Sequence, residues 1–113
     1  IINFGSDFGL RCEPGFLAYA ASKEAIRALT RTAAREWGRH GIVVNAVCPG
    51  FIPTKMSEGV LEGFAEEFAK ATPLGHLGES EDLKGIVALL ASDASRHISG
   101  QAIPVCGNVE TLA

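Results

Sequence analysis

The sequence predicts an α/β fold in which parallel strands alternate with helices, and three observations carry that expectation. Short apolar runs at Ile1 to Phe4, Ile42 to Val47 and Ile98 to Val105 have the length and composition of buried strands. The segments between them carry helical periodicity and are long enough for the crossovers that parallel strands require. Glycine and proline punctuate the changes of pattern, at Gly5, Pro14-Gly15, Gly38, Gly41 and Pro49-Gly50.

The first run, Ile1 to Phe4, stops at Gly5-Ser6, so Ser6 is expected just past the carboxyl end of a strand, where ligands bind in open parallel sheets. After a loop marked by Gly9, Pro14 and Gly15, a long helix is expected from Phe16 to Trp37. Ile26, Leu29, Ala33 and Trp37 recur there at spacings of three and four and form an apolar stripe. Its alanines favour the helix and keep it slim; Gly38 and Gly41 stop it. A second strand over Ile42 to Val47, broken by Asn45, ends in the turn Cys48-Pro49-Gly50.

Beyond a loop from Phe51 to Thr54, Val60, Leu61, Phe64 and Phe68 describe an amphipathic helix from Ser57 to Ala71, weakened by Gly59 and Gly63. It reads equally as a lid over a site or as a loosely packed surface helix. Pro73 to Gly78 is a connector. Ser80 then suits an N-cap, with Glu81 and Asp82 in the first turn and Leu83, Ile86, Val87, Leu89 and Leu90 on the buried face of a helix ending near Ser92. The third strand, Ile98 to Val105, contains Pro104, which cannot donate to a ladder, so this strand is expected at a sheet edge.

Composition narrows the function. With 113 residues, 47% of them hydrophobic, the chain suits one globular domain, assigned to residues 1–113. Because the chain opens on Ile1-Ile2 inside an apolar run, it is expected to be part of a longer protein. A net charge of −3 gives no footprint for nucleic acid. Arg27, Arg31, Arg35 and Arg39 fall on one helical stripe, more simply a solvated face than a phosphate patch. Cys12, Cys48 and Cys106 are scattered and unpaired in pattern, as expected of reduced thiols in a cytoplasmic protein. His40, His76 and His97 have no metal-ligand spacing, so no metal is expected. No run reaches the roughly 18 apolar residues of a membrane span, and no signal peptide pattern is present.

Tyr19 and Lys23 carry the chemistry. Four residues apart on a helix, they share a face one turn apart, and an ammonium near a phenol favours the phenolate. Such a tyrosine can pass a proton to or from a carbonyl or alcohol oxygen. Ser6, thirteen residues upstream of Tyr19, falls on the same rim of the sheet. By itself a Tyr/Lys pair at this spacing is also what a solvated helix surface provides.

Together these residues resemble the C-terminal half of the short-chain dehydrogenase/reductase family. Ile1 to Ser6 resembles its strand ending in the catalytic serine, and Tyr19-Ala20-Ala21-Ser22-Lys23 its Y-x-x-x-K element. Asn45 to Gly50 with Phe51-Ile52-Pro53-Thr54 is similar to the V-N-x-x-x-P-G segment and the threonine that follows; Thr72 to Gly75 and Ser99-Gly100-Gln101 are further landmarks. The resemblance implies the C-terminal part of a doubly wound, parallel-sheet Rossmann fold with the N-terminal half absent. It also implies NAD or NADP as cofactor and a small carbonyl or alcohol substrate. It makes Ser6, Tyr19 and Lys23 catalytic, and places Tyr19, Lys23, Pro49, Gly50, Ile52 and Thr54 against the cofactor. A homo-oligomer, dimer or tetramer, formed through the Phe16–Trp37 helix is implied as well.

The chain departs from the family pattern in two places. It contains no G-x-x-x-G-x-G phosphate loop and no N-N-A-G element, and Val105-Cys106-Gly107-Asn108 stands where many relatives carry V-D-G-G. The leading expectation is an NAD(P)-dependent oxidoreductase with substrate identity open, nearest in flavour to 3-oxoacyl-carrier-protein reductases. The alternative is an inactive fragment serving as a subunit-interaction module. A serine hydrolase fits worst, because Ser6 lies outside any G-x-S-x-G turn.

Overall fold

The computed structural model describes residues 1–109, so the last four residues of the domain expected over 1–113 lie outside the described residues. Its elements run β1 (Ile2–Phe4), α1 (Asp7–Arg11), α2 (Leu17–Trp37), β2 (Asn45–Pro49), α3 (Glu58–Leu61), α4 (Ala65–Ala71), α5 (Lys84–Leu90) and β3 (Ala102–Val105). Tight 3-10 turns occupy Gly38–His40, Ser80–Leu83 and Asp93–Ser95. The strands form one parallel sheet in the order β1-β2-β3, with Ile2 opposite Asn45 and Ala46 opposite Ala102. This is the α/β arrangement the sequence implies.

β2 is the anchor of the core. Val44, Ala46 and Val47 are completely buried, and each fully buried valine is worth about 1.5–3 kcal/mol over an exposed one. The strand is shorter than its apolar run. The ladder to β1 opens where the Asn45 N–H meets the Ile1 carbonyl at 3.0 Å, leaving Ile42 and Val43 outside it. β3 likewise starts at Ala102, because the preceding residues are held by isolated bonds such as Gly100 N–H to Val44 O at 2.7 Å. Pro104 fits as expected at the edge. The carbonyls of Gln101 and Val105 accept from β2, so by the two-residue alternation Pro104 presents its missing donor away from the sheet.

α2 packs over β1 and β2 through small residues. Ala20, Thr30 and Ala33 are buried, and the Asn3 side chain reaches from β1 to the Thr30 hydroxyl at 3.0 Å. The apolar stripe expected from spacing is therefore only partly the buried one, since Leu29 and Trp37 are 57% and 40% exposed. Close approach of helix to sheet selects small side chains and turns the large ones outward.

The helix expected over 57–71 is two helices. Gly63, at φ +79°, breaks it with a left-handed residue that only glycine adopts cheaply, whereas Gly59 sits within α3. The segment expected to be capped by Ser80 is capped one residue earlier. The Glu79 N–H donates to the Asp82 carboxylate at 2.7 Å and closes a capping box. α1 falls in a stretch the sequence suggests is loop. No helix among the described residues is long and apolar enough to cross a membrane.

Candidate active site

A cleft of about 410 Å³ opens at the carboxyl ends of β1 and β2. The structure brings every sequence-predicted site residue to it: Ser6, Tyr19, Lys23, Pro49, Gly50, Ile52 and Thr54 all line its wall. Four stretches far apart in the chain supply them, which is the consequence of two parallel strands ending on one rim.

Ser6 is fixed by the way β1 ends. The Gly5 N–H makes the last ladder bond, to Val47 O at 2.8 Å, and the chain then turns into α1 with extended Ser6 as its N-cap. Ser6 Oγ accepts from the Phe8 N–H at 3.2 Å, which leaves the hydroxyl proton to be donated elsewhere. Beneath it lies Cys48. A Cβ on residue 5 would come within 2.7 Å of the Cys48 sulfur, so this position requires glycine. Burial pushes the Cys48 thiol up from its ordinary range, and the Ser6 backbone N–H facing the sulfur opposes part of that rise.

Tyr19 and Lys23 occupy successive turns at the start of α2. The Lys23 ammonium lies 5.7 Å from the Tyr19 ring centroid and donates to the Phe4 carbonyl at 3.3 Å, tying the lysine to the end of β1. Thr54 and Ile52 are organised by Ser57. Its Oγ accepts from the Thr54 N–H at 2.8 Å and lies 3.0 Å from Ile52 O, knitting the loop after β2 into one wall of the cleft.

Sequence reasoning missed several lining residues. Asp7 is 2% exposed, lines the cleft and faces Arg11 at 3.5 Å; Arg11 in turn lies over the Phe8 ring. The signal was present as Ser6-Asp7, an N-cap followed by an acid in the first turn. Ser57 stands three residues after Thr54, a spacing suited to a local hydroxyl-to-backbone turn. Phe8, Phe16 and Phe51 complete the wall as a row of edge-to-face rings, with centroids 4.8 Å apart for Phe8 and Phe16 and 4.9 Å for Phe8 and Phe51.

Residues 1–108 match a family model described as Enoyl-(Acyl carrier protein) reductase. The chain is 45% identical over 109 residues to the (3R)-3-hydroxyacyl-CoA dehydrogenase of Homo sapiens, covering 96% of this chain and 42% of that protein. It is 41% identical over 109 residues to the 3-oxoacyl-[acyl-carrier-protein] reductase FabG of Pseudomonas aeruginosa, covering 96% of this chain and 45% of that one. Its fold superposes with a TM-score of 0.95 on a gluconate 5-dehydrogenase from Burkholderia cenocepacia in complex with NADP and tartrate, at 33% identity over 100% of this chain and 45% of that one. The chain thus spans less than half the length of these relatives.

Proposed function

Because the chain belongs to the short-chain dehydrogenase/reductase family, we propose that it forms the catalytic part of an NAD(P)-dependent oxidoreductase interconverting a secondary alcohol and a ketone. The observation that carries this reading is the convergence of Ser6, Tyr19 and Lys23 on one cleft at the carboxyl rim of the sheet. Relatives named for 3-hydroxyacyl and 3-oxoacyl chemistry, and a neighbour complexed with NADP, support it.

The residues present fit the nicotinamide end of such a cofactor. Pro49, Gly50 and Ile52 offer an apolar wall, and Lys23 and Thr54 offer polar groups beside it for the ribose hydroxyls and the carboxamide. The pyrophosphate has no glycine turn among these residues. When bound, the nicotinamide supplies the hydride acceptor or donor.

The chain's own residues manage the proton. In the reducing direction Tyr19 gives its phenolic proton to the substrate oxygen, and in the oxidising direction it takes that proton back. Ser6, with its lone pair engaged by the Phe8 N–H, donates its hydroxyl proton to the same oxygen and holds it in line. Lys23, anchored on the Phe4 carbonyl, places positive charge beside the ring where the phenolate develops.

Tyr19→Phe in the intact protein tests this reading. It should lower kcat by about 100-fold to 10,000-fold with a much smaller change in KM, read as NAD(P)H absorbance. Unchanged turnover would refute the assignment. Within the same reading, free thiols at Cys12, Cys48 and Cys106 support a cytoplasmic setting. Leu17, 87% exposed, together with exposed Leu29 and Trp37, supports α2 as the face through which copies of the chain associate. That same face favours the second reading, a subunit-interaction module without activity. Association that persists while dinucleotide binding is absent would favour the module over the enzyme.

A further inference from the structure

Phe16 stands at the N-cap of α2 and makes no side-chain capping bond. Helix starts favour Ser, Thr, Asp or Asn there, because a side-chain oxygen satisfies one of the first free N–H groups. At the head of a 21-residue helix this chain gives that position to a ring instead. The ring lies in the cleft wall, between Tyr19 at 6.5 Å and Phe8 at 4.8 Å, centroid to centroid, and Phe8 continues the row to Phe51.

We infer, resting on the oxidoreductase reading above, that Phe16 is a specificity-determining residue: it receives an apolar arm on the carbonyl substrate and disfavours polyhydroxylated ones. An oxygen in reach of Tyr19 leaves the rest of its molecule lying along the Phe16–Phe8–Phe51 row. The nearby polar groups are already engaged. Ser57 Oγ is bound to the Ile52–Thr54 loop, Asp7 faces Arg11, and Ser6 meets the substrate oxygen itself. Hydroxyls on the arm would therefore lose water against hydrocarbon with little in return, while apolar surface gains by leaving water.

Phe16→Asn separates this role from folding, because asparagine is a better cap than phenylalanine and keeps or raises the stability of α2. The intact protein is assayed with NADH and with NADPH on a phenyl-substituted ketone and on a polyhydroxy ketone of similar size, with thermal melts alongside. Wild type should favour the phenyl-substituted ketone in kcat/KM by about 100-fold, and Phe16→Asn should lower that value by about 30-fold or more, mainly through KM, with little change for the polyhydroxy ketone. Equal turnover of the two ketones by wild type, or an equal loss on both in the variant, overturns the inference and leaves the oxidoreductase reading standing. Absence of turnover on either ketone, with no binding of the phenyl-substituted ketone by calorimetry, overturns both.

Discussion

Asn45 offers a test of how the sheet that carries the cleft is held together. It is 1% exposed, and its side chain makes two bonds to the segment leading into β3. Nδ2 donates to Ile98 O at 2.7 Å, and Oδ1 accepts from the Gln101 N–H at 3.0 Å. Asn45→Ala strands both backbone groups, and each buried group left without a partner costs about 1–3 kcal/mol. The two together give a loss of about 3–4 kcal/mol, allowing for partial access of water to Gln101, which is itself exposed. Against a typical total of about 5–15 kcal/mol this is a large fraction. Urea unfolding of the intact protein should show it as a lower midpoint with an unchanged slope, and amide exchange at Gln101 should accelerate well before global unfolding. Turnover per folded molecule should stay close to wild type at low temperature, since Asn45 does not line the cleft. A loss below about 1 kcal/mol with Gln101 exchange unchanged would refute the idea that this asparagine ties β2 to β3.

Ser6→Ala should lose about 1 kcal/mol from the α1 cap and most of the carbonyl reduction together, while Ser6→Thr, which keeps the oxygen, should recover the cap; a melt and a rate on each variant decide it, and full stability in Ser6→Ala would remove the capping role. Thiol labelling should distinguish exposed Cys12, which reacts promptly, from buried Cys48, which reacts only as the protein opens; prompt reaction at both would contradict the burial. The pH dependence follows from the same burial. Because the folded Cys48 thiol is held above its ordinary value of 9.0, its contribution to stability is full below about pH 9 and is lost as pH rises from there through the folded value. The stability gap between wild type and Cys48→Ala should therefore narrow above pH 9, and a gap that stays constant would argue against a raised thiol.

The site was legible in the sequence where the chemistry dictates residue type and spacing, and illegible where packing decides. Tyr19 and Lys23 share a face because a helix turns every 3.6 residues, and Ser6 follows from where an apolar run must release its chain. Strand limits were less legible, because a ladder extends only as far as its partner: Ile42 and Val43 look like strand but have no β1 residue to pair with. The outward turn of Leu29 and Trp37 was hidden for a related reason. Periodicity ranks residues by hydrophobicity, while the space between α2 and the sheet admits only side chains such as Ala20, Thr30 and Ala33. α1 spans five residues with a glycine among them, too short for any period to register. Of the two glycines in the 57–71 segment, only the backbone angle shows that Gly63 breaks the helix and Gly59 does not.

The two sides of the cleft are held in different ways, and this bears on what each can do. Ser6 is fixed from three directions: Gly5 closes the β1–β2 ladder, the Cys48 sulfur faces the Ser6 N–H, and Phe8 N–H holds its oxygen. A proton donor needs this, because a shift of about 1 Å can cost about 100-fold in rate. The opposite wall, from Phe51 to Val60, hangs on the single hydroxyl of Ser57 and runs on to the break at Gly63, with Met56 78% exposed. Substitutions around Ser6 and Cys48 should therefore act on kcat, whereas substitutions between Met56 and Val60 should act on KM and on which substrate is accepted, since that wall can move without disturbing the residues that handle the proton.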